Sequence, residues 1–371
     1  MPYPTELDYW TEEVSIGFGQ MSRTQARVLA LYSYGMAMTQ HSGQTMVSTF
    51  LGLLLGQSIA NIRQRLREWT YEGTQKRGEK RRTVAVAGHF ASLLSLILRY
   101  WWRPKQVVLA LDVTYLRDRH TILTVSVVYR GCAIPVAWHI LKGNQQGEWH
   151  PLWVDLVERL QQTVGLPKRV WVLCDRGLYS KRLFEVIHKG GWHPVMRIRP
   201  QGLYRRPQGK QWQALERSAF RGMKSTCRRV VCFKGDPLLC TLWVQWPAQY
   251  DEPCLMLTDL APRQLTGGNP YALRTWIEGG FKDLKRGGLH WEQSKITDPQ
   301  RMERLLFIMA LALFWLIRQG SVQADELLAD ASLPPLSCTT LGWLSTLVAA
   351  IHQHPLPFAY FSPYSFPYPP S

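Results

Sequence analysis

The sequence predicts an α/β protein: a mixed β-sheet with helices, preceded by an all-helical segment and carrying a β-rich basic insertion. Three observations carry this. Residues 22–70 place apolar side chains at helical spacing with no strand signal. From residue 107, β-branched runs alternate with helical patterns. Between about 200 and 262 short strands separated by basic loops interrupt that alternation.

Ser22 can cap a helix running to about Thr39, a second runs from about Gln44 to Leu55, and a third follows Gly56, from Ser58 to Trp69. The break at Gly56 resembles a helix-turn-helix, with Asn61, Arg63, Gln64, Arg65 and Arg67 able to meet bases and phosphates. A helical bundle with a basic outer face accounts for the same pattern equally well. The polar stretch Gly73 to Arg82 reads as a linker, which closes a DNA-binding domain at residues 1–83.

A helix over residues 84–101 leads into VVLALDVTYL (107–116), HTILTVSVVYRG (120–131) and CAIPVAWHIL (132–141), three adjacent strands. A helix from about Trp149 to Val164 precedes RVWVLCDRG (169–177), apolar enough to be buried on both faces. A helix from about Ser180 to Lys189 and the strand WHPVMRIR (192–199) follow. Three strands, helix, strand, helix, strand is the order of a ribonuclease-H-like fold, assigned here to residues 84–353. The apolar run Leu305 to Ile317 lies between Arg304 and Arg318. It is too short to span a bilayer and reads as a buried core helix opened by Asp298 and Pro299. Residues 319–353 read as one or two helices broken by SLPPLS. Residues 354–371 form a Pro- and Tyr-rich tail, either without fixed structure or docked on its own domain, a partner chain or DNA.

The net charge of +17 points to a polyanionic partner, with nucleic acid the economical choice. The charge is concentrated: residues 197–234 hold eleven Arg or Lys against Glu216 alone. The seven cysteines contain no CxxC pair and are odd in number, which favours reduced thiols over a zinc site or a disulfide framework. Acids near the N-terminus stand where a signal peptide would carry bases, so a cytoplasmic protein with no membrane partner is expected.

Asp112 lies within the first strand and Asp175 at the carboxyl end of the fourth, its expected neighbour. An aspartate in an apolar strand is costly to bury as an anion unless a cation or hydrogen bonds compensate it. Hard carboxylate oxygens suit Mg²⁺ or Mn²⁺ better than zinc. A third acid comes from YALRTWIEGGFKDLK (271–285). Read as one α-helix with Tyr271 at zero, Arg274, Glu278 and Lys285 fall at about 300°, 340° and 320°, a single sector beside the apolar stripe. The other reading is an amphipathic helix with a solvated charged face. Gly279 and Gly280 inside it each cost roughly 0.8–1.0 kcal/mol relative to Ala, which signals a close backbone approach. Among rival acids Asp259, which ends LMLTD, is the strongest; Asp118, Glu148, Asp155, Glu185 and Asp283 fall in turns or off the line.

Tyr271, Arg274, Glu278 and Lys285 meet, without a gap, the spacing of Tyr, two residues, Arg, three residues, Glu, six residues, Lys. With LALDVT around Asp112 and CDRGLYS around Asp175, the chain resembles DDE transposases of the insertion sequence 4 type over about residues 105–318. The resemblance implies a ribonuclease-H-like transposase in which Asp112, Asp175 and Glu278 bind two Mg²⁺ or Mn²⁺ ions. It implies that Tyr271, Arg274 and Lys285 hold phosphates of the cleaved strand. It also implies double-stranded DNA partners, namely terminal inverted repeats and target DNA, a homodimer in the synaptic complex, and a prokaryotic, nucleoid-associated location. Family members with a hairpin step stack a flipped base on a tryptophan of the insertion. Trp246 is favoured for this over Trp243, and both also read as core. A structure-directed nuclease or resolvase of the same fold, and a binding-only domesticated copy, are the alternatives.

Overall fold

Helices open the chain, and the first of them precedes the pattern read from sequence. The computed structural model describes residues 5–77, 82–101, 104–143, 145, 147–265, 269–327, 336–352 and 360–361. In it α1 (Thr5–Gly17) comes before α2 (Arg23–Thr39), α3 (Gln44–Leu55) and α4 (Ile59–Trp69). Ser22 and Gln25 cap α2 reciprocally, and the Ser58 side chain accepts from the backbone of Asn61 to start α4. Gly56 ends α3 at φ 60°, a conformation that a Cβ would strain. These three helices lie where apolar spacing puts them. α1 escapes that reading because TELDYWTEEVSIG mixes acids into its apolar face. One of those acids is part of the packing: Glu13 is buried and pairs with Arg318 at 2.8 Å, beside buried Trp10 and Val14.

A 3₁₀ turn at Val86–His89 runs into α5 (Phe90–Arg99). Then come β1 (Val107–Leu116), β2 (His120–Tyr129), β3 (Cys132–Lys142), α6 (His150–Gln161), β4 (Val170–Cys174), α7 (Lys181–Lys189) and β5 (His193–Arg197), in the expected order. β1 and β2 pair antiparallel, as do β2 and β3, whereas β1, β4 and β5 run parallel. The insertion supplies β6 (Leu203–Arg205), β7 (Gln213–Ala214), β8 (Met223–Cys232), β9 (Leu238–Trp246) and β10 (Cys254–Thr258). Its strands prolong the same sheet, because β10 pairs antiparallel with β5. Among the described residues the order is β3-β2-β1-β4-β5-β10-β9-β8-β6-β7. The architecture is thus mixed α/β, completed by α8 (Trp276–Leu284), α9 (Pro299–Leu327) and α10 (Cys338–His352).

Period-two alternation divides the interior in two. Val107, Leu109 and Leu111 of β1 face the larger core, built with α5, α6 and α9, while Val108 and Ala110 face a smaller core on the other side. The larger core continues without a break into the N-terminal helices through Leu29, Val47 and Leu66. α9 is its centre: the run 305–317 is buried throughout. The two arginines that bound this run in sequence are anchors. Arg304 is buried, donates to the carbonyls of Val84 and Thr70 and pairs with Glu72, and Arg318 pairs with Glu13. Burying these charges is tolerable because Arg304 is paired and held by two carbonyls, whereas Arg318 is paired with Glu13 and lies over the rings of Trp10, Tyr100, Phe314 and Trp315.

Of the linker read at Gly73 to Arg82, Gly73–Gln75 form a 3₁₀ turn and residues 78–81 lie outside the described residues. Of the tail, Phe361 docks on its own chain: its N–H donates to the Tyr100 carbonyl at 2.8 Å and its ring packs against Trp101 and Tyr129. Apart from Tyr360 and Phe361, residues 354–371 lie outside the described residues, as do 332–335 of SLPPLS.

Glu303, on α9, gives a stability test. Burial raises its carboxyl from about 4.5 to about 7, although the Ile140 N–H donates to it. The folded protein therefore keeps a proton that the unfolded chain has released, and stability falls as pH rises from about 4.5 through about 7. Glu303→Gln retains the acceptor oxygen and removes the ionisation. Its melting temperature should exceed the wild type's by a few degrees at pH 8, with the gap closing at pH 4.5. Equal melting at pH 8 would contradict the assignment.

Candidate active site

Alternation along β1 decides where Asp112 points. Ala110 faces the smaller core, so Asp112 and Thr114 share that face. Parallel pairing sets Leu111 opposite Cys174, which brings Asp175, the next residue, level with Asp112 on the neighbouring strand. Trp171 and Leu173 face the smaller core too, and Asp175 follows in phase. Two carboxylates thus lie side by side at the carboxyl end of a parallel pair, where open α/β sheets gather their ligands.

Residues 270–285 lie across this face and correct one expectation. The single α-helix is two: Pro270–Thr275 are 3₁₀, capped by the Asn269 side chain on the Tyr271 N–H, and α8 begins at Trp276. At three residues per turn Tyr271 and Arg274 stack one above the other, so the 100° wheel does not describe them. They still converge. The Tyr271 hydroxyl donates to Asp175 Oδ1 at 2.8 Å. Arg274 Nη2 lies 2.6 Å from Asp112 Oδ1 and 3.9 Å from Asp175 Oδ2. At the far end of α8, Lys285 Nζ donates to Thr114 Oγ1 at 2.8 Å. Leu273 and Ile277 anchor the segment in the smaller core.

The paired glycines explain how the helix comes so near. A Cβ on Gly279 would lie 2.6 Å from the Gly131 carbonyl oxygen, and one on Gly280 would lie 2.6 Å from the Ala133 oxygen and 2.8 Å from its Cβ. α8 rests directly on the start of β3, as the sequence anticipates.

The two aspartates differ in charge behaviour although they are neighbours. Burial raises the Asp112 carboxyl, the Arg274 guanidinium and the Val113 N–H oppose it, and the balance is upward. For Asp175 burial also acts upward, but the Tyr271 hydroxyl, the Arg176 N–H and the Arg274 and Arg197 charges together outweigh it and lower the group. Burial also raises the Tyr271 phenol and lowers the Lys285 ammonium. Arg274 is held charged: burial opposes its charge, and Tyr271, Asp112 and Asp175 more than restore it.

Glu278 is exposed in the first turn of α8, with no hydrogen-bond or ion-pair partner among the described residues. It shares a helix line with Lys285, seven residues on. The structure brings Asp112 and Asp175 together and leaves Glu278 at the rim. Among the described residues no three His, Cys, Asp or Glu form a metal-holding group. The donor chemistry nonetheless fits a divalent cation: one cationic nitrogen already reaches both aspartates, and their oxygens are hard ligands. A third carboxylate would have to swing in from Glu278.

Four of the rival acids are committed elsewhere. Asp259 accepts from His188 at 2.8 Å and His193 at 3.0 Å, at the opposite end of the sheet from Asp175. Asp283 is buried and accepts from Thr339 at 2.6 Å, Asp155 pairs with His139 and Arg159, and Glu185 pairs with Lys181. Sequence reasoning missed Thr114 and the site role of Arg197, whose guanidinium lies 5.7 Å from the Tyr271 ring centre. Arg197 ends β5, the third parallel strand, and that position was the available signal.

Beyond the carboxylates, a pocket of roughly 340 Å³ beside Lys285 is lined by Arg117, Lys282, Arg286 and Glu292. Trp243 is buried in the smaller core. Trp246, at the end of β9, is half-buried, donates to the Tyr250 carbonyl at 2.9 Å, and by alternation turns to the opposite face from Trp243. On α4, Arg63, Arg65 and Arg67 are all exposed, and Arg67 donates to the Tyr71 hydroxyl at 2.5 Å. Arg63 and Arg67 line a groove with Gln44, Ile59 and Gln64.

Comparison with known proteins gives a family and a distant structural likeness. The family model described as "Transposase DDE domain" matches residues 128–315, half of the chain. The match takes in Asp175 and Tyr271 to Lys285 and begins after Asp112. No curated protein matches. Among solved structures the chain is similar to a piggyBac transposase synaptic complex with hairpin DNA, at 14% identity and a TM-score of 0.35 over 93% of this chain and 77% of that one.

Gly280→Ala tests the seating of α8. Helix propensity alone would stabilise by about 1 kcal/mol. The collision with Ala133 should outweigh it, since overpacking typically costs about 1–3 kcal/mol. Denaturant unfolding should report a net loss of stability, and a net gain would mean that α8 does not lie on β3.

Proposed function

The chain belongs to the transposase DDE domain family, and we propose that it acts as a cut-and-paste DNA transposase of the insertion sequence 4 type on a ribonuclease-H-like catalytic fold. The observation that carries this reading is the joining of Asp112 and Asp175, from parallel neighbouring strands, through one guanidinium borne on the segment that leads into Glu278. Asp112, Asp175 and Glu278 would hold two divalent ions, Mg²⁺ or Mn²⁺. When bound, such ions lower the pKa of an attacking water or 3′-hydroxyl and neutralise the leaving oxygen. The chain's own residues supply the rest. Tyr271 orients Asp175, Arg274 offers a fork that matches a phosphate, and Lys285 adds a point charge about two turns beyond Glu278.

In this reading α3 and α4 form the DNA-binding unit, with Arg63 and Arg65 on phosphates of the terminal repeats and Arg67 braced by Tyr71. Trp246, more open than Trp243, stacks a flipped base that comes round the edge of the sheet and serves a hairpin step. Bringing two ends together calls for a homodimer, acting on DNA in a prokaryotic cytoplasm. The structure-directed nuclease is separated by product: it cuts without joining a 3′-hydroxyl to target DNA.

Three outcomes test these roles. With Mg²⁺ and the element's end DNA, Glu278→Gln should lose strand cleavage by at least about a hundredfold, and equal cleavage by both proteins would remove Glu278 from the catalytic set. Trp246→Ala should leave first-strand nicking intact and impair hairpin formation or resolution, whereas unchanged end processing would dismiss the stacking role. Arg63→Ala with Arg65→Ala should weaken binding and flatten the slope of log affinity against log salt by up to about 0.9 per phosphate contact. An unaltered slope would mean that α4 does not touch the backbone.

A further inference from the structure

The position of Arg274 points to a second task, and this inference rests on the metal-binding reading above. We propose that Arg274 is the built-in counter-cation of the Asp112–Asp175 pair, which a divalent ion must displace, so that metal entry and release of this guanidinium are one exchange. Arg274 Nη2 sits 2.6 Å from Asp112 Oδ1 and 3.9 Å from Asp175 Oδ2, where a cation serving both carboxylates has to be. Asp112 has the Val113 N–H as its other donor, and Asp175 is further held by the Tyr271 hydroxyl. An arriving ion and Arg274 therefore compete first for Asp112 Oδ1.

Arg274 is also equipped to leave. Its side chain is 13% exposed, and its Nε, enclosed where it now sits, has no hydrogen-bond partner among the described residues, so a move off Asp112 lets that N–H reach an acceptor it lacks in place. A DNA phosphate would supply that acceptor and take over the guanidinium as the ion takes the carboxylates. Two ligands that each favour the displaced state bind cooperatively, and the coupling is reciprocal.

The test is a titration of the full chain with Mn²⁺, following free Mn²⁺ by electron paramagnetic resonance without any turnover. Arg274→Gln removes the competing charge, and its Mn²⁺ affinity should rise about tenfold, with a lower melting temperature than wild type in the absence of ion and a larger gain on adding it. Unchanged or weaker Mn²⁺ binding would overturn the proposal. Should Arg274→Gln fail to fold, Arg274→Met, which removes the charge and keeps an unbranched apolar stem, decides in the same way: tighter binding than wild type supports the exchange, and equal or weaker binding ends it. Adding a duplex oligonucleotide should tighten Mn²⁺ binding more in wild type than in Arg274→Gln; equal gains would remove the coupling to DNA. Asp112→Asn distinguishes the two levels of the account. If it leaves Mn²⁺ binding intact, the metal reading itself fails; if it abolishes binding while Arg274→Gln changes nothing, the exchange alone fails.

Discussion

Two like charges on adjacent strands at the edge of an apolar core are the constraint from which the rest of the site follows. Parallel pairing of Leu111 with Cys174 makes Asp112 and Asp175 neighbours whether or not they repel. Something cationic must therefore lie over that face, and it must arrive on a rigid support. The support is the 3₁₀ turn and α8, pinned by Leu273 and Ile277 and lowered onto β3 by two glycines. Only a backbone that close lets Tyr271, Arg274 and Lys285 reach three side chains of β1 and β4.

The scaffold beneath is built to keep that edge in place. β1 is flanked by β2 on one side and β4 on the other, and its far face packs on the larger core centred on α9. The same core runs into the N-terminal helices, where Arg304 and Arg318 fix α9 to the chain before β1 through Glu72 and Glu13. The proposed DNA-binding helices thus pack on the core that backs β1, whose other face carries the proposed catalytic residues. The insertion strands extend the sheet away from the carboxylates, and Arg197, at the carboxyl end of β5, lies over the Tyr271 ring.

Much of this was legible in the sequence because the signals are local. β-branched runs gave β1 to β5, Ser22, Gly56 and Ser58 gave helix ends, and the Tyr, Arg, Glu, Lys spacing singled out the segment over the site. What was not legible depends on partners distant in the chain. α1 stays hidden because Glu13 looks like a surface acid until Arg318 is placed against it. The insertion's continuity with the sheet rests on β10 finding β5. Apolar periodicity cannot separate a 3₁₀ turn from an α-helix over six residues, so the angular line through Tyr271 and Arg274 was drawn on the wrong helix. Arg274 was read as a phosphate clamp, and its ion pair with Asp112 appears only once strand and helix are brought together.

Whether Asp112, Asp175 and Glu278 form one cation site decides the proposed chemistry. Anomalous diffraction from crystals of the protein soaked in Mn²⁺ addresses this most directly. Manganese peaks are expected between Asp112 and Asp175, with the Glu278 carboxylate turned inward as a ligand and Arg274 withdrawn from Asp112. Manganese bound elsewhere, or a filled site with Glu278 still pointing to solvent, would contradict that chemistry.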